Sequence, residues 1–282
     1  MKLLHVLERV TQNPWVITPA GYAAVRQLID SKLAGSDLRV QQADDDDLDG
    51  DAGGGVQSTL DGGAKVAQIT VSGTLGQRLS WLENFCGGCD YLDITAAIDK
   101  VLAEGADGIL FVFDSPGGMA IGCSECAQVI LDVPVPTVAF TDSIMCSGAY
   151  WLASGCEHIV ATKSADVGSI GVIIPWVDQS KLWDQVGMKY DPITSKGDSL
   201  KALGGGPNLT DEEREYLQDR VNQTAADFRK AATTFRDLDF AELKAGSYFG
   251  KQALDFNLID QIGSLADAQN QLMKRISAGV AD

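Results

Sequence analysis

The sequence has 282 residues, of which 45% are hydrophobic and 22% charged, so it can bury a large core as one domain, with or without appendages. Its net charge of -17 at pH 7 argues against nucleic acid or an anionic membrane as the main partner, because both would repel an acidic surface. A protein or peptide partner is expected instead. Charged residues interrupt the N-terminus before a secretory signal could form, and no run of about 18 apolar residues predicts a membrane span, so we expect a cytoplasmic protein.

The first 63 residues are predicted to lie outside the main domain. Residues 3–33 carry apolar side chains at helical spacing, and Thr18 followed by Pro19 suits a helix N-terminus, which predicts a helical appendage over residues 1–34. Residues 35–63 are rich in aspartate and glycine, a composition typical of a flexible acidic linker. This segment also resembles the start of an EF-hand calcium loop, but Val56 stands where the bidentate acid is needed, so a linker is favoured.

Residues 64–282 are predicted to form an α/β domain. Short β-branched runs predict strands over residues 65–72, 108–114, 137–141, 158–162 and 170–174. Helical patterns predict helices over residues 91–104, 120–131 and 149–153. Repeated strand-then-helix order implies a mostly parallel sheet with flanking helices. A capping box of Thr210 and Glu213 opens a long helix, about residues 211–236, and residues 246–276 are expected to return to the core.

Four of the six cysteines form two Cys-x-x-Cys pairs, Cys86 with Cys89 and Cys123 with Cys126. Such pairs could hold a four-thiolate zinc ion, but the segment between them is longer than the usual spacing of such sites. Cys123 and Cys126 also fall in an apolar helical pattern, where small thiols are ordinary core residues. The sequence therefore favours buried thiols and no metal.

Two glycine-containing segments are candidates for binding an anion. Gly117 and Gly118 follow a buried strand, where paired glycines let backbone N–H groups approach a ligand closely. Ser147 and Gly148 stand between a strand and an apolar helix, which places a hydroxyl and a free N–H at a helix N-terminus. Together they supply a nucleophile and both halves of an oxyanion hole.

The base that would activate such a serine is not an obvious histidine. His5 lies in the N-terminal appendage and His158 begins a strand, where a structural role is favoured, so a Ser/His/Asp triad is poorly supplied. Lysine is the available alternative, provided that burial or a neighbouring positive charge lowers the pKa of its ammonium group. The glycine- and serine-rich segment 193–206 carries two candidates, Lys196 and Lys201.

Four segments, 114–118, 146–154, 168–172 and 248–260, resemble the signal peptide peptidase A family. That family also includes the head maturation proteases of tailed bacteriophages and shares the Clp protease/crotonase-like fold. The resemblance extends over about residues 66–268. It implies the same fold here, a mostly parallel α/β sheet with flanking helices.

Carried over to this sequence, the resemblance implies a serine endopeptidase with a Ser/Lys dyad and no cofactor. Ser147 would be the nucleophile, and Gly117 or Gly118 would donate to the oxyanion together with Gly148. The family's base is a lysine shortly after a strand, and here that region has about two extra residues and two lysines. Lys201, which is followed by a small residue and glycines, is the expected base, with Lys196 as the alternative.

The charged, amphipathic start of the chain resembles phage and prophage members, so we expect a capsid maturation protease that cleaves scaffold or capsid proteins. It would act in the host cytoplasm or the procapsid interior. The resemblance also implies a homo-oligomer, in which the serine and lysine come from one subunit or from two. The alternatives are a cytoplasmic bacterial peptidase of the same family, a crotonase-like acyl-CoA enzyme, and a capsid-assembly protein without catalytic activity.

Overall fold

A computed structural model describes residues 13–33, 55–61, 65–80, 83–84, 87–176, 180–185, 187, 191–203 and 209–279. His5, Cys86 and most of the acidic segment, with its calcium-like pattern, lie outside the described residues. In the described part, no helix combines the length and the apolar content needed to cross a bilayer.

The strands are β1 (Trp15–Ile17), β2 (Gly55–Asp61), β3 (Val66–Ser72), β4 (Thr74–Gly76), β5 (Gly88–Asp90), β6 (Gly108–Asp114), β7 (Gly117–Met119), β8 (Thr137–Thr141), β9 (Ile144–Cys146), β10 (His158–Ala161), β11 (Asp166–Gly168), β12 (Ser247–Phe249) and β13 (Gln261–Ile262). The helices are α1 (Pro19–Leu33), α2 (Tyr91–Ala103), α3 (Cys123–Leu131), α4 (Gly148–Ala153), α5 (Ser180–Gln185), α6 (Asp211–Ala232), α7 (Phe240–Leu243), α8 (Gly250–Asp255) and α9 (Leu265–Gly279), with a 3-10 helix at Ser199–Ala202.

The largest sheet has the strand order β13-β10-β8-β6-β3-β2. Its strands are parallel except β2, which runs antiparallel to β3 at the edge. Two smaller sheets, β1-β7-β4-β5 and β12-β11-β9, lie beyond the carboxyl ends of the main strands. The predicted α/β class with a mostly parallel sheet is therefore confirmed.

The main sheet is covered on both faces, which explains why its central strands are almost continuously apolar. Successive side chains of a strand point to opposite faces, so alternate residues of β6 enter different cores. Phe111 and Phe113 pack in the larger core with helices α2, α3 and α4, whereas Leu110 packs with Leu272 of α9. The result is a three-layer α/β/α arrangement that holds the carboxyl ends of the strands in fixed positions.

Several predicted elements are confirmed with their bounds. Strands β6 and β8 coincide with the predicted residues 108–114 and 137–141. The capping box of Thr210 and Glu213 is present and opens α6, which ends at Ala232 rather than at residue 236.

The prediction of a strand over residues 170–174 is wrong, since only Ile173 makes a bridge, to Trp15. The neighbouring strand is β11, whose register with β9 is Gly168 opposite Cys146. The β-branched run predicted a strand, whereas Ile173 is 41% exposed and does not enter the sheet core.

The N-terminal part also differs from its prediction. Residues 1–34 were expected to be helical, yet Trp15–Ile17 forms β1, a strand ahead of α1. The predicted linker over residues 35–63 contains β2, which pairs along its whole length with β3. The flanking glycines and aspartates dominate the composition of this segment and conceal a strand that is stabilised by pairing with β3, the next strand along the chain.

Candidate active site

Ser147 lies at a sharp turn between β9 and α4. Its N–H donates to the Gly168 carbonyl at 2.7 Å, and the N–H of Cys146 donates to the Ser115 carbonyl at 3.2 Å. The backbone of Ser147 has φ 55° and ψ -117°, a conformation that a residue with a Cβ rarely adopts and that costs of order 1–3 kcal/mol. Neighbouring strands therefore hold this serine in a strained position.

The Ser147 side chain is completely buried. Within the part of the chain that the structure describes, its Oγ has no hydrogen-bond partner. A buried hydroxyl without a partner is unfavourable in a core, and such groups are concentrated at functional sites. The arrangement suits a nucleophile whose partner arrives with substrate or with another chain.

The turn that carries Gly117 and Gly118 is held by Ser115, which sequence reasoning had not singled out. The Ser115 hydroxyl is buried, donates to the Gly73 carbonyl at 2.6 Å and accepts from the Gly117 N–H at 3.2 Å. The Ser115 N–H donates to the Ile144 carbonyl at 2.7 Å. The Ser115 side chain thus holds the glycine turn, and the Ser115 backbone ties that turn to β9, the strand before Ser147.

The two predicted glycine segments meet beside Ser147. A Cβ built on Gly117 would lie 2.8 Å from the Gly148 nitrogen, and one built on Gly148 would lie 3.4 Å from the Gly118 nitrogen. No side chain fits at Gly117 or Gly118, because a Cβ would also collide with the Val16 carbonyl or the Leu75 carbonyl. The fold therefore brings the predicted oxyanion residues together.

The two alternative donors differ in their hydrogen bonds. The Gly117 N–H already donates to Ser115, so it is not free to bind an oxyanion. The Gly118 N–H instead faces the separate strand β1, in which Val16 stands opposite Gly118, and Gly148 is the first residue of α4, whose N–H has no partner within the helix. This geometry favours Gly118 with Gly148.

The thiols beside the site act as core residues. Cys89, Cys123 and Cys126 are buried, and the Cys123 Sγ donates to the Gly148 carbonyl at 3.7 Å. Burial raises the pKa of the Cys123 thiol to about 12, so the thiol stays protonated at neutral pH and can donate. Among the described residues, no group of three or more histidine, cysteine, aspartate or glutamate side chains is arranged to bind a metal ion.

Neither predicted lysine forms a hydrogen bond with the Ser147 Oγ, which has no partner among the described residues. Lys196 lies in a turn and Lys201 in the 3-10 helix, and both side chains are exposed. His158 also has another environment, 3.8 Å from the Asp260 carboxylate, with a pKa lowered by burial. Ser147 and the glycine turn thus lie together, and among the described residues neither exposed lysine is hydrogen-bonded to the serine.

The segment 131–279, just over half of the chain, matches the model of peptidase family S49. The chain is 28% identical to capsid assembly protease C of Escherichia phage lambda over 94% of its own length, and 27% identical to head-tail preconnector protein GP5 of Enterobacteria phage P21 over 76%. It spans 64% and 44% of those two proteins, respectively, less than two thirds of either.

Among solved structures, methylmalonyl-CoA decarboxylase aligns with a TM-score of 0.47 and 14% identity, over 79% of this chain and 74% of that one. The family match covers Ser147, the turn before α4 and the segment with both lysines. The nucleophile-like serine at the end of β9, with backbone donors converging on it, thus lies within the matched region, and the chain belongs to peptidase family S49.

Proposed function

We propose that this chain is a serine endopeptidase in which Ser147 attacks the peptide carbonyl and a lysine is the general base. The observation that carries the proposal is the buried Ser147 hydroxyl, held at a strained turn beside the Gly118 and Gly148 N–H groups. A peptidase needs this combination of a positioned nucleophile and preorganised donors. An acyl-CoA enzyme would need the donors but not the serine.

In the proposed reaction, the Ser147 Oγ forms a bond to the scissile carbonyl carbon while its proton passes to the neutral lysine. The negative charge on the carbonyl oxygen is stabilised by the N–H groups of Gly118 and Gly148. The tetrahedral intermediate then collapses, and the lysine returns the proton to the leaving amine. Water then attacks the carbonyl carbon of the acyl-enzyme while the lysine takes a proton from the water. The lysine passes this proton to the Ser147 Oγ as the acid product leaves.

We propose Lys201 as the base and Lys196 as the alternative. Both side chains are exposed, whereas burial is what favours the neutral amine that a base needs, so burial against another surface is part of the proposal. The described residues 191–199 are all exposed, and Ile193 among them is 99% exposed. These features support a homo-oligomer in which this segment packs on a neighbouring subunit and brings its lysine to that subunit's Ser147.

The proposed substrates are scaffold or capsid proteins of a phage or prophage, with the host cytoplasm or the procapsid interior as the place of action. The similarity to capsid assembly protease C over 94% of this chain supports that context. The net charge of -17 also favours a protein substrate over nucleic acid. We also propose that the chain is divided into an appendage over residues 1–34, a linker over residues 35–63 and a peptidase domain over residues 64–282. In this division, β1 belongs to the appendage and β2 to the linker.

Fluorophosphonate labelling tests the nucleophile. The reagent should phosphonylate Ser147, located by peptide mass spectrometry, and Ser147→Ala should take up no label while keeping its circular dichroism spectrum. Cys146→Ser is a matched control, since it changes the preceding buried residue but leaves the proposed nucleophile. Absence of label from Ser147 would contradict the peptidase and favour an acyl-CoA enzyme or an inactive assembly protein.

The identity of the base is tested by comparing two alanine variants. Lys201→Ala should abolish cleavage of a co-expressed capsid or scaffold protein, whereas Lys196→Ala should retain it. The reverse result would assign Lys196, and activity in both variants would contradict a lysine base from this segment.

A further inference from the structure

Residues Pro14–Thr18 have a position that the proposed chemistry does not explain. Strand β1 runs antiparallel to β7, with Val16 opposite Gly118 and Ile17 opposite Gly117. On its other edge, Trp15 exchanges two backbone hydrogen bonds with Ile173, at 2.8 and 3.0 Å. A short extended segment thus lies between two backbone edges, directly on the glycine turn of the candidate site.

The register places the Val16 carbonyl on a proposed oxyanion donor. The N–H of Thr18 donates to the Pro116 carbonyl at 2.9 Å, and the N–H of Ala120 donates to the Pro14 carbonyl at 3.1 Å. In an antiparallel ladder, every second pair of opposite residues is hydrogen-bonded. The Val16–Gly118 pair is two residues away from each of these two bonded pairs, so it is hydrogen-bonded as well, and the Gly118 N–H donates to the Val16 carbonyl. The same carbonyl oxygen would lie 3.1 Å from a Cβ on Gly148.

The side chains of β1 alternate in the way expected for a peptide in a cleft. Val16 is fully buried and belongs to the main core cluster, on the side of Ser147 and α4. Trp15 and Ile17 face the opposite way and pack with Met119 and with Tyr22 of α1. The Val16 side chain therefore packs at the start of α4, with its Cγ2 3.1 Å from a Cβ built on Gly148, while α1 covers the outer face of the strand.

An extended peptide that adds to a sheet edge is a common mode of peptide recognition, because main-chain hydrogen bonds give affinity and alternate side chains fill pockets. We propose that Pro14–Thr18 occupies the groove that binds substrate, with Val16 in the position of the residue whose carbonyl Ser147 attacks. The inference rests on the proposed peptidase function. With Val16 at that position, the groove is specific for a medium-sized apolar residue there. With the segment in the groove, the chain closes its own active site until the segment leaves.

The complete burial of Ser147 agrees with a closed groove. A substrate would have to displace β1, because the same Gly118 N–H cannot donate fully to two carbonyls. The apparent reactivity of Ser147 is then reduced to the fraction of molecules in which the segment is displaced.

Two variants of the full chain test this inference by the rate of fluorophosphonate labelling at Ser147. Val16→Arg places a charge at a completely buried position, which should expel the segment and accelerate labelling by about tenfold or more if the groove is closed most of the time. Ala24→Arg is the matched control, since it adds the same charge at an exposed position of α1 and should label like the wild type.

The second variant, Trp15→Cys with Ile173→Cys, locks the segment in place. These residues form a hydrogen-bonded antiparallel pair, whose Cα separation of about 5.5 Å suits a disulfide. The oxidised protein should label about tenfold more slowly than the same protein after reduction, while Trp15→Cys alone should not respond to reduction.

Equal labelling in the oxidised and reduced forms would overturn the inference and leave the peptidase intact. No labelling of Ser147 in any form, including Val16→Arg, would instead overturn the proposed function. The locked variant keeps the test valid if Val16→Arg fails to fold. Cleavage of wild-type protein between Val16 and Ile17, seen by intact mass, would support occupation of the groove in the direction of a substrate.

Discussion

At the scale of single residues, the candidate site depends on Ser147 adopting a backbone conformation that its own side chain disfavours. The hydrogen bond from its N–H to Gly168 and the adjacent pairing of Cys146 with Gly168 maintain this conformation. Strain of this kind persists only where the surrounding structure determines it. Ser115 supports the same turn from the other side, through its backbone hydrogen bonds with Ile144 and Cys146.

Because of this strain, glycine at position 147 would favour stability, whereas the proposed activity needs the serine hydroxyl. We expect Ser147→Gly to be more stable to urea unfolding than Ser147→Ala by about 1 kcal/mol, because glycine adopts a positive φ without the steric cost of a Cβ. Both variants should be inactive, since both lack the hydroxyl. Equal stability of the two proteins would show that the turn is not strained.

At the scale of elements, helix α4, which follows Ser147, packs against α6. Trp151 of α4 stacks on Phe228 of α6, with ring centroids 4.6 Å apart and ring planes 3° from parallel. Phe228 is completely buried although α6 is largely polar. The long helix therefore packs against the element that supplies the Gly148 N–H.

Removing this ring should destabilise the protein and disturb the site. We expect Phe228→Ala to lower the free energy of unfolding by about 3–5 kcal/mol, as measured by urea denaturation. Phe249→Ala is the control, since Phe249 is 60% exposed and its truncation should change stability by less than about 0.5 kcal/mol. Similar effects of the two substitutions would contradict a packing role for Phe228.

At the scale of the whole molecule, a single chain brings Ser147 together with Gly118 and Gly148 but leaves both candidate lysines exposed. Assembly would resolve this if the exposed segment of one subunit docks on the next. Family resemblance predicts a homo-oligomer, and the exposure of Ile193 supports it. The stoichiometry would follow from sedimentation of the full chain.

Complementation between inactive variants tests whether the dyad is shared between subunits. Ser147→Ala and Lys201→Ala should each be inactive alone, whereas a mixture unfolded and refolded together should recover about a quarter of the wild-type activity, because random mixing restores that share of composite sites. Loss of activity in the mixture, with normal oligomer size, would place the serine and lysine in the same subunit.

The sequence by itself determined what depends on local pattern. Strands β6 and β8, the capping box of α6 and the serine before α4 follow from periodicity, capping residues and glycine placement, which act over a few residues. The same is true of the family resemblance, which rests on contiguous motifs. The scarcity of histidine likewise directed attention to a lysine.

The tertiary structure alone decided the features that join distant parts of the chain. Strand β1 is three residues long and is stabilised by Gly117–Met119 and Ile173, so helical spacing around it concealed it. The Ser115 hydroxyl that holds the glycine turn donates to the Gly73 carbonyl, 42 residues away, and the glycine turn meets Gly148 of the distant helix α4. Each of these is a contact between residues far apart in sequence, and periodicity and propensity carry information only about neighbours.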